Sequence, residues 1–258
     1  MKPPTSIEKA ASVLDRLAEP PYTMSLTEVA DFLSMSKPGA LSMLDAMEQC
    51  GFVFRDSLTK RYTLGASLVR LGKAFLEQSD LEDTVMPHLV RLKETTPGGR
   101  GHTYLSIWDG RKCFLLLSVD FLHDRRTYGP YEGGGIPLHA GLTAILLAAY
   151  QDQATIRRML EAAVPLKKVT ENTLTDIDQI MEHYRRVREQ GYHLGNEGYR
   201  IGFVGIAAPV FDKDGRAFAA VALSCPKTLL SREALVESYL DGVLETARVI
   251  TRKIALRG

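Results

Sequence analysis

The stretch 25–51, SLTEVADFLSMSKPGALSMLDAMEQCG, constrains the rest of the chain. Leu26, Val29, Ala30 and Leu33 recur at helical spacing, so its opening helix has a single apolar side. Ser25 or Thr27 suits the start of this helix, because a hydroxyl there accepts an otherwise unpaired backbone N–H. Glu28 suits the positive N-terminal end. Ser34-Met35-Ser36 is a turn, and a second helix starts near Lys37-Pro38, where the missing proline N–H costs nothing. Leu41, Leu44 and Met47 form its expected buried stripe, and Gly51 stops it. Ser36, Lys37, Pro38, Gly39, Ala40 and Ser42 are left near its N-terminal end, which is expected to be exposed. Two short helices across a tight turn have the form of a helix-turn-helix, whose second helix enters the DNA major groove by its N-terminal residues. A plain helical hairpin inside an unrelated core is the competing reading. The next residues favour DNA: 51–54 and 61–64 are short strands around the polar turn 55–60, a wing that carries Arg55, Lys60 and Arg61 toward a phosphate backbone.

Charge does not support indiscriminate polyanion binding. The 258 residues hold 32 Lys and Arg against 31 Asp and Glu, so DNA contact must rest on local placement of cations. An apolar fraction of 45% is that of an ordinary globular chain. The apolar run 141–150 is too short to span a bilayer, and the first residues lack the apolar core of a signal peptide. Cys50, Cys113 and Cys225 are few, odd in number and far apart, as in a reducing compartment. The expectation is a cytoplasmic protein with no membrane association.

In chain order, 6–17 is a helix with Ser6 as its cap, ended by Pro20-Pro21. Residues 1–65 make up a winged helix-turn-helix domain, a size at which one core is marginal alone. The pattern is helical again over 66–94. Pro87 is expected to break or bend the run, giving two helices, and the expected boundaries are a linker helix over 66–80 and a second domain over 81–258. There, strands 102–108 and 112–119 flank the turn Asp109-Gly110, and a second hairpin joins 205–211 to 217–224. Residues 121–135 are irregular, and helices are expected at 142–150, 154–163, 176–190 and 231–256. Strands gathered with helices on one side give an α+β fold.

Residue chemistry offers no reaction centre. The run Gly133-Gly134-Gly135 lacks the Lys-Ser/Thr of a phosphate loop, and neither C-x-x-C nor H-E-x-x-H occurs. His139 reads as a hydrogen-bonded structural histidine and Cys225 as a packed thiol, so no catalytic residue, metal or cofactor is assigned. Trp108 reads as core or pocket wall.

Taken together, the chain resembles the IclR family of bacterial transcription regulators. The resemblance rests on Ser6-Ile7-Glu8-Lys9-Ala10, Leu26-Thr27-Glu28-Val29-Ala30, Gly51-Phe52-Val53 through Tyr62-Thr63-Leu64-Gly65, Pro137-Leu138-His139-Ala140, Gly191-Tyr192, and Gly205-Ile206-Ala207-Ala208-Pro209-Val210-Phe211-Asp212 with Asp214-Gly215. It implies a winged domain on a double-stranded operator, with contacts from Thr27, 36–40, Ser42, Arg55, Lys60 and Arg61. It also implies a GAF-like C-terminal domain that binds a small acid or aromatic effector, and a homodimer or dimer of dimers.

The family pocket maps onto Gly195 and Gly205, where an aspartate and a cysteine are frequent, onto Ala222 in place of a serine, and onto Ser224. Trp108, Tyr128, Gly141 and Asn196 complete the expected site, with Arg125 or Arg126 as possible anchors. Ala144-Ile145 replaces a usual Gly-Lys, and 37–40 lacks the usual hydroxyl residues. The missing side chains predict a larger, less polar pocket and an effector bigger than a two- or three-carbon acid. A GAF-like thiol enzyme with an accessory winged module, and a winged domain that binds protein, are the alternatives.

Overall fold

The computed structural model describes residues 5–119 and 135–255. The chain divides after Asp80 into two compact units. In the first, α1 (Ser6–Leu17) is capped by Thr5 and not by Ser6. Thr5 accepts the Glu8 N–H while the Glu8 carboxylate accepts the Thr5 N–H. Ser25 and Glu28 form the same reciprocal box at the start of α2 (Leu26–Phe32). Ser36 caps α3 (Lys37–Gln49) through the Gly39 N–H. Strands β1 (Val53–Arg55) and β2 (Tyr62–Leu64) pair antiparallel, with Val53 opposite Leu64 and Arg55 opposite Tyr62. Val13, Leu17, Val29, Ala30, Leu44, Met47, Val53 and Tyr62 form the core. The inward stripe of α3 is Ala40, Leu44 and Met47, so Ala40 is fully buried and Leu41 is only half-buried. α4 (Ser67–Ser79) follows the wing.

The break between the two helical runs falls at Asp80, whose left-handed backbone (φ 47°) ends α4. The expected break at Pro87 does not occur, since Pro87 lies inside α5 (Leu81–Glu94). One lost backbone hydrogen bond is tolerated there because Leu81, Val85, Leu89 and Leu92 hold the helix by a continuous buried face.

The second unit is built on a five-stranded antiparallel sheet of order β4-β3-β7-β6-β5. Its strands are β3 (His102–Trp108), β4 (Cys113–Val119), β5 (His193–Asn196), β6 (Phe203–Phe211) and β7 (Ala217–Pro226). Helices α6 (Leu142–Tyr150), α7 (Gln153–Ala162) and α8 (Ile177–Gln190) build one core with Tyr104, Ala207, Ala220 and Ala222. α5 and α9 (Arg232–Ala255) pack on the strands as well. Thr103, which alternates with Tyr104, donates its hydroxyl to the Leu89 carbonyl of α5 at 2.8 Å. The sheet is therefore covered on both faces, not on the single face expected. The cause is visible in β7, where Ala219 to Leu223 are all fully buried without the alternation of a half-wet strand.

A candidate effector cavity and a candidate nucleic-acid interface

The pairing of the sheet sets a row of small residues across one face. His102 lies opposite Ser224, Ser224 opposite Gly205, and Gly205 opposite Gly195. The next row on that face runs Ser118, Tyr104, Ala222, Ala207, His193. Along the first row and the N-terminus of α6 lies a cavity of about 740 Å³. Gly141, Gly195, Asn196, Gly205 and Ser224 line it as expected. Ala222 does not, being buried in the core that contains α6, and Trp108 packs against that same core away from the cavity. Tyr128, Arg125 and Arg126 lie outside the described residues.

The two glycines do not leave open space. A Cβ on Gly195 would stand 2.8 Å from Leu142 Cδ1, and one on Gly205 would stand 2.5 Å from Leu142 Cδ2. Leu142 is seated on the bare backbone of β5 and β6, so the volume expected from the missing side chains is filled by this leucine. The Gly141 N–H is also engaged, donating to the Pro137 carbonyl at 2.9 Å, and a Cβ there would collide with Ile136 Cγ2. α6 begins immediately after it with no side-chain cap, so its first N–H groups form the positive end of a helix beside the cavity.

The cavity lining favours a negative guest. Arg100 and Arg200 are both exposed lining residues, and the Arg200 guanidinium lies 4.1 Å from the centroid of the Phe203 ring. Among the described residues the one carboxylate of the lining, Glu197, is neutralised by the Lys227 ammonium at 2.7 Å and accepts the Gly202 N–H at 2.7 Å. The Lys227 hydrogen bond and then the Gly202 N–H hold it below the usual carboxylate range. Thr170, Asn172 and Thr173 fasten the turn after β5 by donating to the carbonyls of Glu197, Asn196 and Gly198. His139 bonds through Nε2 to the Lys167 carbonyl at 2.9 Å, the structural role expected of it.

Sequence reading missed Arg100, Arg200, His183 and His193 as lining residues. His193 sits on β5, two residues before Gly195, and so shares its face. Recognising 193–196 as a strand would have exposed that signal. His183 comes from α8, and nothing local in the sequence joins it to His193.

The two buried thiols are poorly suited to act as nucleophiles. Burial pushes Cys113 up to about 12 and Cys225 up to about 11, so neither is held as thiolate.

In the first unit, Thr27, Ser36, Lys37, Pro38 and Ser42 are exposed, Gly39 is half-buried, and Ala40 belongs to the core. The cations are unequal. Arg61 donates from Nε to Thr23 Oγ1 at 2.8 Å and from Nη2 to Glu28 at 2.8 Å, so it ties the wing to α2. Arg55 lies with its guanidinium 5.5 Å from the Tyr62 ring centroid and its Nε buried. Lys37 and Lys60 are exposed, with no ion pair among the described residues. Asp56 shapes the wing turn by accepting the N–H groups of Leu58 and Thr59 at 3.0 and 2.6 Å.

Both units find counterparts among known proteins. Residues 73–252 match the family model of the bacterial transcriptional regulator IclR C-terminal domain, and residues 6–57 match that of the IclR helix-turn-helix domain. The HTH-type transcriptional regulator BhcR of Paracoccus denitrificans is 32% identical over 253 residues, covering 98% of this chain and 88% of BhcR. A putative IclR transcriptional regulator from Silicibacter superposes with a TM-score of 0.84 at 20% identity, over 97% of this chain and 96% of the other. An IclR homologue from Microbacterium hydrocarbonoxydans, solved in complex with 4-hydroxybenzoate, gives 0.70 at 20% identity, over 98% and 100%.

Proposed function

The chain belongs to the IclR family of bacterial transcription regulators, DNA-binding proteins that respond to small-molecule effectors, and from that premise we propose an organic acid as its effector and the cavity beside α6 as its site. One observation carries the reading: two arginines and an uncapped helix N-terminus share a cavity in which the one carboxylate among the described lining residues is already neutralised. A buried carboxylate needs donors in place of its water, and this lining supplies them. A volume of about 740 Å³ suits an acid with an aromatic or extended body better than one of two or three carbons. The homologue bound to 4-hydroxybenzoate is consistent with such a ligand. Lys37 and Lys60 reach operator phosphates, and Ser36, Pro38, Gly39 and Ser42 meet the groove or its edge.

The active species is a homodimer or a dimer of dimers. On one face of α4, Leu71 and Phe75 (four residues apart) are exposed at 42% and 50%, an apolar patch suited to a second copy. Two recognition helices would then read two half-sites. No described helix is long and apolar enough to cross a membrane, and we place the protein in the cytoplasm.

Calorimetry of the full chain with benzoate-type and aliphatic acids, beside their neutral amides, tests the site. Acids should bind and amides should not, and a bound acid should change the gel-shift affinity for DNA upstream of the gene. Amides that bind as well as the acids would sink the proposal.

A further inference from the structure

Two histidines that the effector reading leaves unused meet at the cavity, and the partner at one end fixes the tautomers of both. His193 Nδ1 lies 2.8 Å from the Leu142 carbonyl oxygen, which can only accept, so this ring carries its proton on Nδ1. A second proton on Nε2 would make it a buried imidazolium, and burial pushes His193 down to about 3. His193 Nε2 is therefore an acceptor, and the Nε2 of His183, 3.2 Å away, is the donor. With its proton on Nε2, neutral His183 has a bare lone pair on Nδ1. That nitrogen has no hydrogen-bond partner among the described residues and is not sealed from solvent, on a ring that lines the cavity. As a lone pair it repels a carboxylate oxygen. With a proton added it becomes a charged donor to one.

We propose that His183 is an acid-binding residue of this cavity: a carboxylate enters together with one proton from solvent, which settles on His183 Nδ1 and is donated to a carboxylate oxygen. The proposal rests on the cavity being the acid site, as argued above. The only bond formed is that N–H, and the Nε2–H donated to His193 keeps its place, now charge-assisted. Without a guest, burial and then Arg186 hold His183 below the usual imidazole range. No unpaired carboxylate faces it among the described residues. On α8, Glu182 is engaged by Arg185 and Arg186, and Asp178 by Arg157 of α7. Over 142–149 α6 has no ionisable group, and its Tyr150 lies beside Arg188. Across the cavity stand Arg100, Arg200, His102, His139 and the Glu197–Lys227 pair. A bound carboxylate is therefore the first unpaired negative charge that His183 meets, and it raises the proton affinity of the ring. By linkage the proton raises acid affinity by the same factor. The free ring sits low and the bound ring higher, so uptake is largest between the two values, and acid affinity falls as pH rises through the bound one.

The test is calorimetry of the full, tag-free chain with benzoate or hexanoate, whichever binds, at about pH 7 in buffers of different ionisation enthalpy. The slope of observed heat against buffer heat counts the protons. About 0.5–1 proton taken up per acid is expected, and acid affinity should fall by as much as about tenfold per pH unit as pH is raised. Both acids are ionised throughout, so their own protons do not enter. His183→Gln can still donate an N–H to His193 but has no nitrogen that titrates. In it the uptake should vanish, and acid affinity should drop and become flat in pH. His88→Gln, on α5 and outside the cavity lining, should change neither. Ring-nitrogen NMR of the wild type gives a readout that does not depend on any variant folding. His183 should be protonated on Nε2 alone in the free chain and on both nitrogens with acid bound, while His193 stays neutral. Acid binding without proton uptake, or uptake that survives in His183→Gln, overturns the role of His183 and leaves the effector site standing. Failure of either acid to bind removes the effector reading, and the role of His183 with it.

Discussion

A methyl group on Gly205 would come within 2.9 Å of the Leu223 carbonyl oxygen as well as 2.5 Å of Leu142 Cδ2. On Gly195 the one contact shorter than 3 Å is with the tip of Leu142, at 2.8 Å. A leucine tip can rotate away and a strand carbonyl cannot. Gly205→Ala should therefore lower stability by about 1–3 kcal/mol, in the range of overpacked cores, and Gly195→Ala by less. Adding Leu142→Ala should relieve most of the Gly195→Ala penalty and only some of the Gly205→Ala penalty. Thermal midpoints of the two single and two double variants check this, and equal midpoints for the two glycine variants would remove the argument. The glycines themselves are plain in the sequence. Their meaning is not, because the side chain that fills their space comes from a helix distant in the chain. Arg61 teaches the same lesson. As one letter in a wing it reads as a phosphate contact, and only the fold shows Thr23 and Glu28 taking its donors.

Elements governed by local chemistry were legible. α3 follows from apolar spacing and from the end signals Pro38 and Gly51, and α6 begins and ends where its apolar run does. What escaped were features set by long-range packing: the strand β5, whose His-Leu-Gly-Asn sequence carries little strand signal, the second layer of helices, and the run of α5 through Pro87. The reading of α3 as the element that meets DNA gives two tests. A Cβ on Gly39 would meet only the side-chain tips of Ser36 and Met35, at 3.2 and 3.4 Å, so Gly39→Glu should fold. It should nevertheless abolish operator binding, because a carboxylate at this end of the helix faces phosphate. Normal circular dichroism with retained gel-shift affinity would take α3 out of the groove. In the second test, Lys60→Ala and Lys37→Ala should each lower the slope of log affinity against log salt by about 0.9, the release of one counterion. Arg61→Ala should leave that slope unchanged, since its guanidinium is already paired within the fold. A slope change equal to that of Lys60→Ala would show Arg61 turning from Glu28 to the DNA.

A regulator of this kind works only if its two units are energetically linked, and that linkage has a checkable symmetry. If a bound acid changes operator affinity by some factor, the operator must change acid affinity by the same factor, because both equal one coupling free energy. Coupling of about 1–3 kcal/mol corresponds to a factor of roughly 5–150, which fluorescence anisotropy on labelled operator and calorimetry on the acid can each resolve. The proposed dimer adds a second condition. Each α3 is expected to grip one half-site, so an acid can alter affinity by changing how two such grips fit one DNA, and this requires two copies. Phe75→Glu places a charge on the exposed apolar surface of α4, half-exposed in one chain and therefore tolerated by it, but costly to bury against a second copy. The variant should sediment as a smaller species, keep its acid affinity, which depends on the other unit alone, and lose the effect of operator DNA on that affinity. Unchanged assembly would place the copy-to-copy contact elsewhere. A monomer that still shows full reciprocal coupling would mean that the acid acts within a single chain, by a route that needs no second copy.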